Sequence, residues 1–336
     1  GLQSLAVTDG EYVMSYLPLS HIAEQIVSLH GPMHFGGCVW FAESLEKLGD
    51  DLRDKLVDLV GRALTECTPV ELAYVKARCG FAMNRRTPSG DTFKNNPWSE
   101  GPVDHDVPVL KVAAAKDGAL LAVLFGYACH NTTIGFYQFC GDYAGFAQQY
   151  VEEKHPGATA LFLTGCGGDQ NPYPRGEVEL ARQHGRSLAT AVEAALGSSP
   201  ARKLKPTLHA GLKRVTLEFA PPKPQAVLER ELASPDKYEA AHARRLLDQL
   251  KQTGKIETLY DCPLQLVRLG ELTLAAFPGE TVVDYSHRTK RELADDGPVW
   301  VAGYSNDVFG YVPSKRVLLE GGYEGGGAFR YGSFPG

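Results

Sequence analysis

The sequence has no apolar run close to the ~20 residues that cross a bilayer as a helix. The longest such stretch, residues 119–129, has the length of a buried strand, so no transmembrane segment is expected. There is no dense Lys/Arg run either. With 40 acidic against 34 basic side chains and a net charge of −6, nucleic acid is not an expected partner. The seven cysteines, at 38, 67, 79, 129, 140, 166 and 262, form no C-x-x-C pair and lack the density of a disulfide scaffold; free thiols are expected. No initial Met and no basic-then-apolar leader opens the chain, which suggests a fragment or a processed product and leaves localisation unread. Internal repeats and low-complexity linkers are also missing. What remains, 43% hydrophobic and 22% charged residues over 336 positions, has the makeup of an ordinary globular protein with room for a sizeable core.

Periodicity gives the outline. Leu52, Leu56, Leu59, Val60 and Leu64 recur at helical spacing within 51–64. Residues 107–114 and 119–129 are β-rich runs joined by Lys116-Asp117-Gly118, a hairpin signal, and the second run ends at Cys129-His130-Asn131. Helices are predicted over 143–153 and 177–196, with a buried strand over 158–164 between them. A strand over 207–219, one long exposed helix over 225–250, and a second hairpin of 264–269 and 271–277 follow. After Pro278-Gly279-Glu280 come a helix to about 293 and a strand over 299–304. The Gly-rich tail 321–336 reads as a loop whose partners lie beyond the end of the fragment. The alternation of elements predicts an α/β fold, with mixed β-sheet layers flanked by helices.

His130, Glu280 and Tyr311 each stand at the end of a predicted strand or in the loop after one. Ligand crevices of α/β folds lie at strand ends. An imidazole, a carboxylate and a phenol can together hold Zn²⁺ and leave room for a water, although a strand-end His is also a common core residue. Cys166 is another candidate nucleophile, although a buried strand-end thiol is usually inert. His105 between two aspartates in VDHDVP reads as part of a structural turn.

From about residue 54 to the end the chain resembles the catalytic domain of the neutral/alkaline, non-lysosomal ceramidases. The stretches that carry this are FAMNRR at 81–86, VDHDVPVLKV at 103–112, YACHNTT at 127–133, GDYAG at 141–145, LTGCGGDQNP at 163–172, FPGE at 277–280, AGYSNDVFGYVPS from 302 and GGYEGG from 321. The resemblance implies one catalytic zinc bound by two His, one Glu and one Tyr, with His130, Glu280 and Tyr311 matching three of these ligands. The family's His-Thr-His-x-Gly-Pro segment has no counterpart; only His21, His30-Gly31-Pro32 and His34 stand in that region. In Gly168-Asp169-Gln170-Asn171-Pro172, Asn171 occupies the position of the family's nucleophilic Ser, beside Asp169. An amide cannot attack, but it can donate to an oxyanion, and metal-activated water can take over as nucleophile. Arg85 matches an active-site Arg, and Tyr323 follows Tyr311 at the twelve-residue spacing of a second active-site Tyr.

Residues 13–53 resemble instead a stretch of the AMP-forming long-chain acyl-CoA synthetases, most of all at 16–25. The expected organisation is therefore a foreign-looking segment 1–53, loosely packed, ahead of a ceramidase-like catalytic domain 54–336 that is incomplete at its C-terminus. The expected function is zinc-dependent hydrolysis of an amide or ester bond in a small-molecule or lipid N-acyl substrate. An inactive binding protein and an acyl-CoA synthetase-type enzyme are the alternatives, the last without its nucleotide-binding motifs.

Overall fold

The structure is a computed structural model that describes residues 12–15, 38–41, 48–136, 140–198, 201–332 and 334–335. The chain divides into two compact units, Gly1–Pro69 and Val70–Gly336. In the first, β1 (Tyr12–Ser15) pairs in parallel with β2 (Cys38–Phe41), and α1 (Leu48–Thr65) covers the helix predicted at 51–64. Leu56, Leu59, Val60 and Leu64 of its apolar stripe are exposed. His21, His30, His34 and most of the synthetase-like stretch lie outside the described residues, as does the question of how loosely 1–53 packs.

The second unit runs β3 (Val70–Arg78), β4 (Ala82–Ser89), β5 (Thr92–Trp98), β6 (Asp106–Ala114), β7 (Leu120–Tyr127), α2 (Asp142–Lys154), β8 (Thr159–Thr164), β9 (Gln170–Pro172) and α3 (Val178–Gly197). It continues with β10 (Arg202–Lys203), β11 (Leu208–Glu218), α4 (Gln225–Glu231), α5 (Lys237–Thr253), β12 (Leu259–Leu269) and β13 (Leu272–Ala276). The last elements are β14 (Glu280–Thr281), α6 (Val283–Glu292), β15 (Val299–Ala302), β16 (Tyr311–Val312) and α7 (Lys315–Glu320).

Two mixed sheets result. One has the order β10-β3-β6-β7-β8, antiparallel except for the parallel β7–β8 pair; the other has the order β11-β12-β13-β15, with β13–β15 parallel. Strand alternation sorts the first sheet's side chains into two cores. On one face Val107, Val109, Val123, Phe125 and Tyr127 pack against Tyr143, Ala147 and Val151 of α2 and Leu188, Val192 and Ala195 of α3. On the other, Tyr74, Leu110 and Leu124 meet Leu272, Leu274 and Trp300 of the second sheet. Side chains as fully buried as Phe125 and Leu188 each stabilise the fold by about 1.5–3 kcal/mol.

Two expectations need correction. The stretch 225–250 is not one exposed helix. It breaks between α4 and α5, where Asp236 caps α5 by accepting from the Tyr238 N–H, and Leu228, Ala243 and Leu246 form a buried cluster. The tail finds its partners inside the chain: Arg245 donates to the carbonyls of Arg330 and Gly332, and Glu324 is buried against Arg85 and Arg86. The described cysteines 67, 79, 129, 140, 166 and 262 are all free thiols.

Candidate active site

The ends of β7, β8, β13 and β15 and the segments that follow them are joined by backbone hydrogen bonds, among which the Gly303 N to Thr164 O bond crosses between the two sheets. Gly165 N donates to Tyr127 O, Gly303 N to Thr164 O, Gly168 N to Thr281 O and Tyr304 N to Gly279 O. This lattice carries the candidate residues. His130 follows β7, and both its backbone N–H and its Nδ1 bond to Gln170 O, each at 3.0 Å. A carbonyl only accepts, so Nδ1 carries the proton and Nε2 is the ring atom left for other work. Glu280 and Tyr311 are direct register partners in the two-stranded parallel sheet β14–β16.

The side chains converge on His130 Nε2. Glu280 Oε2 lies 2.9 Å away, the Tyr304 hydroxyl 3.2 Å and the Tyr311 hydroxyl 3.4 Å. Tyr304 also reaches Glu280 Oε2 at 3.3 Å. Burial alone would raise Glu280, but its contacts with His130 and Tyr311 and the charge of Arg85 hold its carboxyl below the ordinary value. Burial pushes both Tyr311 and Tyr304 upward, so in the absence of a cation both hydroxyls keep their protons.

Arg85 closes one side. Its Nη2 donates to the Tyr311 hydroxyl at 2.8 Å, its Nη1 to Asn171 Oδ1 at 3.2 Å and its Nε to Glu324 Oε1 at 2.7 Å. The guanidinium also stands over the rings of Tyr311 and Tyr323, at 5.5 and 5.7 Å from their centroids. Tyr323 meets Tyr311 edge to face and is 38% exposed, so it lines the open side of the cluster. Asn171 is buried on β9, paired with β4, which brings it to Arg85.

Asp169 stands apart from this group. Its carboxylate accepts from Asn84 Nδ2 and from the Val283 N–H, and its carbonyl accepts from the Arg85 N–H, which makes it a brace between β4 and the start of α6. Cys166 is fully buried and its thiol is pushed well up by desolvation, the opposite of an activated nucleophile. His105 Nε2 bonds to Ala82 O, which ties the residue to β4. Its neighbours Asp104 and Asp106 are both bonded to Lys290 of α6.

The sequence reading missed Tyr304 and Glu324. Tyr304 sits in a Gly-Tyr-Ser-Asn-Asp loop, and an aromatic residue in such a loop directly after a buried strand is the signal that could have marked it. Glu324 had no local signal, because its partner Arg85 is 239 residues away. The surface hollows of about 330 Å³ beside His242 and Arg330 and about 490 Å³ beside His155 and Glu193 contain no member of this cluster.

Compared with solved structures, the chain matches neutral ceramidase from Pseudomonas aeruginosa with a TM-score of 0.61 at 19% identity, over 84% of this chain and 52% of that one. The fold is that of a neutral ceramidase. A ceramidase complexed with C2 matches similarly, with a TM-score of 0.60 at 18% identity, over 82% of this chain and 52% of the other. Among curated proteins, neutral ceramidase of Mycobacterium tuberculosis is 39% identical over 69 residues, 19% of this chain and 11% of that protein. The chain thus spans about half the length of the solved ceramidases and aligns with about a tenth of the curated one. No family model matches. The likeness of residues 13–53 to acyl-CoA synthetases finds no support in these comparisons.

Proposed function

We propose that this chain is a ceramidase-like hydrolase that cleaves the amide bond of an N-acyl lipid, at a cation site held by His130, Glu280 and Tyr311. The observation that carries the reading is the convergence of a carboxylate and two phenols on one imidazole nitrogen. Fold alone does not fix activity, so the site has to support it. Among the described residues no group of three or more His, Cys, Asp or Glu is assembled for a metal, and the donors here include phenols. Their spacing still suits one ion. Ligands bound at about 2.0–2.1 Å in tetrahedral geometry stand about 3.3 Å from one another. The Tyr311 and Tyr304 hydroxyls stand 3.4 and 3.2 Å from Nε2. The Nδ1 bond to Gln170 O also orients the imidazole as a metal-bound histidine is usually oriented.

When bound, a zinc ion would polarise the scissile carbonyl and lower the pKa of a water to about 7. The chain's own residues supply the rest. His130 is fixed in one tautomer by Gln170, and Glu280 is kept ionised by its partners. Arg85, held by Glu324, presents positive charge where an amide carbonyl develops negative charge. Asn171, at the position where the resemblance places a serine, has no nucleophilic oxygen; its amide nitrogen binds the same carbonyl oxygen, and water makes the attack. The exposed edge of Tyr323 receives the lipid's polar end.

The test is hydrolysis of a fluorogenic N-acyl sphingosine by untagged protein. Fatty acid release that a chelator stops and Zn²⁺ restores supports the reading. Metal-loaded protein that binds the lipid without turning it over rejects it. That outcome favours the non-catalytic binding protein, which Asn171 at the nucleophile position would suit.

A further inference from the structure

Three sequence-expected donors do not exhaust the groups facing His130 Nε2. The Tyr304 hydroxyl is nearer to that nitrogen than the Tyr311 hydroxyl is, 3.2 against 3.4 Å, and it stands 3.3 Å from Glu280 Oε2. Both of its separations equal those between neighbouring ligands of one tetrahedral ion, about 3.3 Å.

The backbone explains how the phenol is held. Tyr304 has a φ of +52°, in the left-handed region that a bulky residue seldom enters. Three consecutive bonds fix it there: Gly303 N to Thr164 O, Tyr304 N to Gly279 O and Ser305 N to Phe277 O. Two of these acceptors belong to the 277–279 segment that leads into Glu280, so the phenol and the carboxylate are positioned by one piece of chain. A glycine or asparagine would enter this turn more easily than tyrosine, and the loop carries both types nearby, at Gly303 and Asn306.

We propose that Tyr304 is a fourth protein donor to the cation site, alongside His130, Glu280 and Tyr311; this rests on reading the cluster as a metal site. The consequence is a site complete within the second unit, with no histidine from residues 1–53. Charge supports the set. One carboxylate and two phenolates set against a divalent cation leave a single negative charge, and Arg85, which donates to Tyr311, places a positive charge against it. Each tyrosine that ligates as phenolate gives up its proton to solvent when metal binds.

The experiment loads the full chain with Fe³⁺, whose phenolate complexes absorb in the visible, and measures Zn²⁺ affinity separately by competition with a chromogenic chelator. Tyr304→Phe is expected to lower the charge-transfer band by about half and weaken Zn²⁺ binding more than about 10-fold, the least that loss of even an outer partner costs. Tyr311→Phe should remove the other half of the band. If Tyr304→Phe does not fold, Tyr304→His serves instead, since histidine tolerates this backbone region better and can still ligate; it should retain Zn²⁺ while losing half the band. An unchanged band and affinity in the Tyr304 variant, with metal bound by the wild type, overturns this inference and leaves the proposed function standing. A wild-type chain that binds neither ion overturns both.

Discussion

Glu280 and Tyr311 face each other in the register of β14 and β16, thirty-one positions apart in sequence and adjacent in space. That pairing depends on a third strand end coming very close. A Cβ added at Gly168 would sit 2.4 Å from the backbone oxygen of Glu280. Nothing flexible is there to yield, so Gly168→Ala has to push the β14 segment away from His130. The variant is expected to lose more than about 10-fold in metal affinity and to unfold at lower denaturant, both measurable on purified protein. Unchanged affinity would show that β14 is not what positions Glu280.

Buried charge sets a second expectation. Glu324 holds both Arg85 and Arg86 at 2.7 Å, and all three side chains are nearly fully buried. Removing the Glu324 charge leaves Arg85 buried without a carboxylate and Arg86 with Glu320 alone, at a cost of about 3–5 kcal/mol. Urea denaturation of Glu324→Gln checks this; a loss under about 1 kcal/mol contradicts it.

Asp169 gives a pH dependence of definite sign. Desolvation raises its carboxyl from 3.8 to about 6, against the hydrogen bonds from Val283 and Asn84. A native pKa above the unfolded value means that the folded state keeps the proton longer. The group's contribution to stability is therefore complete below about pH 4 and is lost as pH rises through about 6. Denaturation midpoints of wild type and Asp169→Asn should converge, or cross in favour of the variant, between those limits. A wild-type advantage that grows with pH contradicts the assignment.

The chain that reads easily is the chain governed by local pattern. The β-rich runs 107–114 and 119–129, joined by Asp117-Gly118, announce β6 and β7, whose sheet is covered on both faces, and the helical period announces α2 and α3, because each helix buries one face against that sheet. His130, Glu280 and Tyr311 were legible as strand-end polar residues, and Arg85, Asn171 and Tyr323 through a resemblance. β4 was not legible. Its buried residues include Asn84, Arg85 and Arg86, polar side chains that give no strand pattern and are satisfied by Asp169 and Glu324, far off in sequence. Asp169, two residues before Asn171, braces β4 to α6, which no local pattern announces because its partners Asn84 and Val283 lie far off in sequence. The break at 232–236 was hidden by helical spacing that continues on both sides of it.

Cys166 offers a negative control for the chemistry. Its thiol is fully buried and held protonated by desolvation, so under the proposed function Cys166→Ala should leave turnover within about three-fold and thiol alkylation should spare it in the native protein. Loss of turnover in that variant with metal retained would place the nucleophile on sulfur.

The proposed function requires a cation at the His130–Glu280–Tyr311 cluster. Metal analysis of the untagged chain after equilibration with about micromolar free Zn²⁺, set beside Glu280→Gln treated identically, tests this. About one equivalent of zinc per chain is expected in the wild type, and in the variant an affinity lower by more than about 100-fold, beyond what a residue that only orients a ligand contributes. Absence of bound zinc in a folded wild-type chain, or equal binding by Glu280→Gln, would contradict the proposed function.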